Sequence, residues 1–162
     1  MVAALGATPA AGQPKPSAPE AIAAATVDCW AATGATALDE RTLRARGWRA
    51  GRIEDKQGKA ADTPLGFYSK EGSNVVMMTL QKGEAKGCTV MSRVRSPDDY
   101  PVLVNLLRAQ LKLVAPTLKA AKGGTNGVVY LADGRIALLE PTGTREAPAA
   151  RIIVGYSAPE KK

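Results

Sequence analysis

The sequence predicts a two-layer α+β domain: an antiparallel sheet of about five to six strands, one long helix across a face, and two amino-terminal helices. Three observations predict it. SNVVMMTL (73–80) and CTVMSRV (88–94) alternate with a period of two and carry several β-branched residues. VVYLA and RIALLE flank Asp133-Gly134, the pair that a two-residue type I′ hairpin turn prefers. Between these pairs, Leu103, Leu106, Leu107, Leu111 and Val114 recur at helical spacing. At 162 residues the chain suits one domain. Its limits are read as a remnant export signal and Pro-rich linker over 1–18, a folded unit over 19–157, and a disordered tail over 158–162.

Met1–Ala11 (MVAALGATPAA) is small and apolar and ends in alanines of the kind signal peptidase cuts, but it lacks a basic start. It reads as part of an export signal, against the alternative of an Ala/Pro tail. GQPKPSAP then suits an extended linker. The first helix is expected over Pro19–Thr33, with Pro19 at its first turn and Gly34 as the left-handed residue after it. A second is expected over Thr36–Arg46, capped by Thr36 with Asp39 three residues on and closed by Gly47. Trp48 is placed to fold back on that ending.

Arg49–Ile53 suits a brief strand, and the remainder to Pro64 a polar loop. LGFYS (65–69) suits another strand. In the first central strand Val76, Met78 and Leu80 share one face and Val75, Met77 and Thr79 the other. In its partner, Cys88, Val90 and Val94 oppose Thr89, Met91, Arg93 and Arg95. Met77 and Met91 are expected together on the partly wet face. Ser96–Asp99 leads into the long helix, which starts near Asp99 because Pro101 belongs in a first turn, and Pro116 ends it. Thr117–Asn126 reads as a connection. The Asp-Gly register sets Val129 and Leu131 opposite Leu138 and Ile136, and Val128 and Tyr130 opposite Leu139 and Ala137. Pro141–Ala149 reads as a loop before a last strand, Arg151–Tyr156. The only internal similarity is between hairpins.

Composition removes several chemistries. There is no histidine, so the commonest general base and the commonest zinc ligand are absent. Cys29 and Cys88 are the only thiols and show no CxxC spacing. They suit one structural disulfide formed in an oxidising compartment, against two buried free thiols as the alternative. Such a bridge contributes roughly 4 kcal/mol by closing a long loop. The adjacent carboxylates Asp98-Asp99 and Glu54-Asp55 read as helix entry and solvated loop. Gly123-Gly124-Thr125-Asn126-Gly127 follows a helix and precedes a strand, the reverse of a phosphate loop. No run approaches the ~20 apolar residues of a membrane-spanning helix.

Net charge is +7, and the densest basic stretch is Arg41–Lys59, with Arg44, Arg46, Arg49, Arg52 and Lys56 as candidate anion-binding residues. The functional expectation is a non-enzymatic exported domain, in a bacterial periplasm or secreted, with a binding, interaction or structural role. It needs no cofactor or metal, and its partner is another envelope protein or an anionic surface. The alternative is a basic domain that binds an anionic polymer (nucleic acid, acidic glycan or lipid) through Arg41–Lys59.

Overall fold

The computed structural model describes residues 14–51, 54, 57–60, 62–63, 65–80 and 85–157. The chain is α+β, with one antiparallel sheet. In order the elements are α1 (Pro19–Ala32), α2 (Glu40–Ala45), β1 (Trp48–Gly51), β2 (Leu65–Lys70), β3 (Val76–Leu80), β4 (Cys88–Arg93), α3 (Asp99–Val114), β5 (Lys119–Gly123), β6 (Gly127–Ala132), β7 (Arg135–Gly143) and β8 (Pro148–Tyr156). Among the described residues the sheet has eight strands, in the order β1-β2-β3-β4-β8-β7-β6-β5. The expected five to six strands fall short of this count. The chain is thus a tandem of two units, each a helical segment followed by a four-strand antiparallel meander. The last strands of the two units, β4 and β8, meet at the sheet centre over Cys88↔Val154 to Arg93↔Ala149.

One face of the sheet is covered. Tyr68, Met77, Cys88, Val90, Ala150, Ile152, Val154, Ala137, Leu139 and Tyr130 are buried there beneath α1 and α3. From α3, Leu103, Leu107 and Leu111 are fully buried, each contributing roughly 2 kcal/mol. Two tyrosines join this helix to strands. The Tyr130 hydroxyl donates to the Val104 carbonyl at 2.9 Å. The Tyr100 hydroxyl donates to the Ala149 carbonyl and accepts from the Thr142 amide at 3.1 Å.

Several expectations change. Met77 pairs with Val90 and is fully buried, whereas Met91 pairs with Val76 on the other face. The two methionines therefore lie on opposite sides of the sheet. The second helix starts later than expected: Asp39, not Thr36, is its N-cap, accepting from the Arg41 and Thr42 amides at 3.0 and 3.3 Å. Gly47 takes the left-handed conformation, with φ of 87°. Gly34 does not; it is needed because a Cβ there would stand 2.4 Å from the Ala37 carbonyl oxygen. Lys119–Gly123, read as a connection, is the edge strand β5. Half of the expected 141–149 loop is strand. Ladder pairing between β6 and β7 stops at Val128↔Leu139, so Pro141 lies where β7 is shared with β8 alone.

The Asp-Gly turn and its register are as expected, with φ of 51° at Asp133 and 74° at Gly134. Pro16 and Ser17, from the Pro-rich segment, are held against the sheet. The Ser17 amide donates to the Arg93 carbonyl at 2.9 Å, and its hydroxyl meets that of Ser92 at 2.7 Å. The Met1–Ala11 leader and the tail over 158–162 lie outside the described residues.

Candidate functional site

Cys29 and Cys88 form a disulfide, with Cα atoms 6.0 Å apart and a sequence separation of 59. The bridge joins the last turns of α1 to the first residue of β4. It is possible because Cys29 lies on the buried stripe of α1 with Ile22, Ala25, Thr26 and Trp30. Both sulfur-bearing residues are at most 3% exposed.

One residue before Cys29, Asp28 is the centre of a polar cluster that sequence reasoning missed. Arg46 Nη1 donates to Asp28 Oδ1 at 2.8 Å. Trp48 Nε1 donates to Oδ2 at 2.9 Å, and Lys70 Nζ lies 3.5 Å from the same oxygen. Lys70 also stands 5.9 Å from the centre of the Trp48 ring. A nearly buried carboxylate is costly unless it is neutralised and hydrogen-bonded, and here both oxygens are engaged. The signal available in the sequence was an acid far from the first turn of a helix of alanines, three residues after Ala25 and beside Cys29. This arrangement explains Trp48 as well: it is 1% exposed, lodged against α1, and presents no ring to a ligand.

The predicted basic residues separate into distinct roles. Arg46 is engaged by Asp28. Arg44 reaches Glu40 at 3.2 Å, one helical turn away. Arg49 is exposed on β1, opposite Ser69. Arg52 and Lys56 lie outside the described residues. Arg44, Arg49 and Lys70, with Glu71, rim a shallow depression floored by Gly47, Trp48 and Ala50. Its chemistry is that of a weakly cationic surface.

A second groove lies between the α1–α2 connection and the outer strands, lined by Leu38, Glu40, Ala50, Gly66, Tyr68 and Thr79. Burial raises the Tyr68 phenol above its ordinary pKa, and neighbouring Glu40 adds to the effect. The phenol is therefore a hydrogen-bonding group here, held in its neutral form. Asp99 does not cap α3 through its own side chain. It accepts instead from the Arg95 amide at 3.0 Å and from the Arg95 guanidinium. Among the described residues, no group of three or more His, Cys, Asp or Glu is gathered in position to hold a metal ion. Nor, among those residues, is any helix long and apolar enough to cross a membrane.

No protein-family model, no curated protein and no solved structure matches this chain. Function is therefore argued from the site alone.

Proposed function

We propose that this is an exported, non-enzymatic domain that binds or supports another molecule in an oxidising compartment, periplasmic or extracellular. The observation that carries the reading is the Cys29–Cys88 bridge. It is buried between the helical layer and the sheet, away from the surface where a redox-active pair must exchange with a partner thiol. A bridge in that position serves the fold, and folds depend on such bridges where the surroundings keep them oxidised. The test is a thiol count on protein taken from its native compartment and denatured. The expected result is no free thiol before reduction and two after it. Two free thiols before reduction would overturn the reading.

A second reading, binding of an anionic polymer, is favoured by the depression rimmed by Arg44, Arg49 and Lys70 and by the net charge of +7. It predicts that retention on heparin falls steeply with salt. It also predicts that Arg44→Ala with Arg49→Ala lowers the slope of log K against log salt by roughly one to two units. Arg46 is left out of that test because its loss also removes the partner of Asp28 Oδ1. An unchanged slope would count against this reading.

A further inference from the structure

Both long helices lie on one face of the sheet, and the other face carries an apolar row bracketed by cations. Register aligns Phe67, Met78, Thr89, Ile153, Leu138 and Val129 side by side across six strands, with no ionisable side chain among them. Val76 and Met91 lie beside this row on one side, in line with Arg151 and Glu140, and Arg49 of edge strand β1 stands at that end. Ile136 and Leu131 lie on the other side, and Leu131 pairs with Lys119 of edge strand β5. Arg93, two residues beyond Met91 on β4, shares the face and donates from Nη1 to the Pro14 carbonyl at 3.4 Å. Among the described strand residues the face thus presents Arg49, Arg93, Arg151 and Lys119 against Glu140. Arg151 and Glu140 pair at 2.7 Å, and Arg49 and Lys119 are exposed at opposite corners. Between them Met91, Leu131 and Ile153 are 37–40% exposed.

We propose that this face rests on the surface of an anionic lipid bilayer, with its cations at the headgroup phosphates and its apolar row against the boundary of the acyl chains. The inference rests on the binding part of the reading above and names the partner. Charge is the first argument. A face with a cationic excess and cations at opposite corners is complementary to a continuous negative surface. The apolar row is the second. A soluble polyanion drawn to the corner cations would leave Met91, Leu131 and Ile153 against water, whereas a bilayer covers cations and apolar side chains together.

Shape is the third argument. A depression of about 310 Å³, lined in part by Met78, Thr89 and Ile153, interrupts the row. A rigid partner would need a matching bulge there, whereas fluid lipid fills the depression without one. The corner cations also act independently. Arg49 and Lys119 stand seven strand spacings apart, about 34 Å. That is several times the ~8 Å screening length at physiological salt, so each contributes its own attraction to the leaflet. One Lys or Arg close to an anionic leaflet raises partition about fivefold, and two such groups about 25-fold.

The test is flotation of the oxidised chain with vesicles of phosphatidylcholine alone and of phosphatidylcholine mixed with phosphatidylglycerol, over a salt series. The variants are Arg49→Ala with Lys119→Ala, Ile153→Ser, and, as the same change of charge on the helical side, Arg108→Ala with Lys112→Ala. All keep the same termini, so differences among them report the faces. Arg49 and Lys119 are exposed on edge strands, so their double variant keeps the proposal testable even where Ile153→Ser does not fold; circular dichroism checks each. The expected result is a wild-type chain that floats with the phosphatidylglycerol vesicles alone and is released by salt. Arg49→Ala with Lys119→Ala should lower partition about 25-fold. Folded Ile153→Ser should lower it at every salt concentration, since an apolar contribution is not screened, and should leave retention on heparin unchanged. A wild-type chain that stays with the soluble fraction overturns the proposal. So does a loss from Arg108→Ala with Lys112→Ala as large as that from the open-face pair, or flotation indifferent to folded Ile153→Ser. None of these outcomes alters the thiol count, so the export reading stands or falls separately.

Discussion

The two halves of the molecule solve one packing problem by different means. Each lays a helix over a four-strand meander, and β4 and β8 join the meanders. In the second half the helix is held by apolar mass: Leu103, Leu107 and Leu111 are buried, and two tyrosine hydroxyls reach across. In the first half α1 reads PEAIAAATVDCWAA, in which Ile22 and Trp30 are the large buried side chains. Alanines bury little area, so the hydrophobic gain is small. A covalent bridge and the Asp28 cluster stand where leucines would. A helix of small side chains can still be fixed to a sheet, provided that a few strong, specific links replace broad contact.

The comparison can be broken in four places. Leu107→Asp puts a charge into the apolar half with no partner and should abolish the cooperative thermal transition followed by circular dichroism. In the other half, Cys29→Ser with Cys88→Ser should lower stability by about 3–4 kcal/mol in urea titrations, and reduction of the wild type should do the same. If reduction left the midpoint unchanged, the bridge would not be what holds α1. Asp28→Ala leaves buried Trp48 Nε1 without its acceptor and should cost about 2 kcal/mol, again as a shifted urea midpoint.

The smallest effect lies with Tyr130, whose phenol is pushed up to about 12 by burial, Arg108 pulling slightly the other way. In the unfolded chain it titrates near 10. From about pH 10 upward the unfolded state therefore holds fewer protons, so stability falls with rising pH until the folded phenol also ionises. Tyr130→Phe should cost about 1 kcal/mol at neutral pH by losing the bond to Val104, and should flatten the alkaline decline. Urea midpoints measured from neutral pH to pH 11 check both.

What was readable in the sequence follows from whether the cause was local. The Asp133-Gly134 turn sets its own register, found with the right partners, and the leucine spacing of α3 places Leu103, Leu107 and Leu111 in its buried face; Val114, expected in the same stripe, is instead 52% exposed in the helix's last turn. Edge strand β5 was missed because KAAKG has no apolar alternation; it is a strand only because β6 offers it a ladder. Pro141 hid the length of β7 because the penalty for proline vanishes where one flank is unpaired. The basic stretch Arg41–Lys59 was visible as charge, but its use was not. That Arg46 and Trp48 belong to Asp28 depends on α1 lying beside β1, a long-range fact. The open apolar row was half legible: alternation gave the two faces of β6 and β7 but not which of them the helices cover.

The central place of β8 has a consequence for biogenesis. Of the eight described strands it is the last to leave the ribosome, yet it fills the middle of the sheet. Until it arrives, β4 presents a bare hydrogen-bonding edge, and the two meanders have no common seam. Cys29 and Cys88 both precede that moment and can be joined early, but the seam waits for the final strand. Closure of the sheet is therefore gated by β8, and the interval before it is when a newly made chain is most prone to pair with a neighbour.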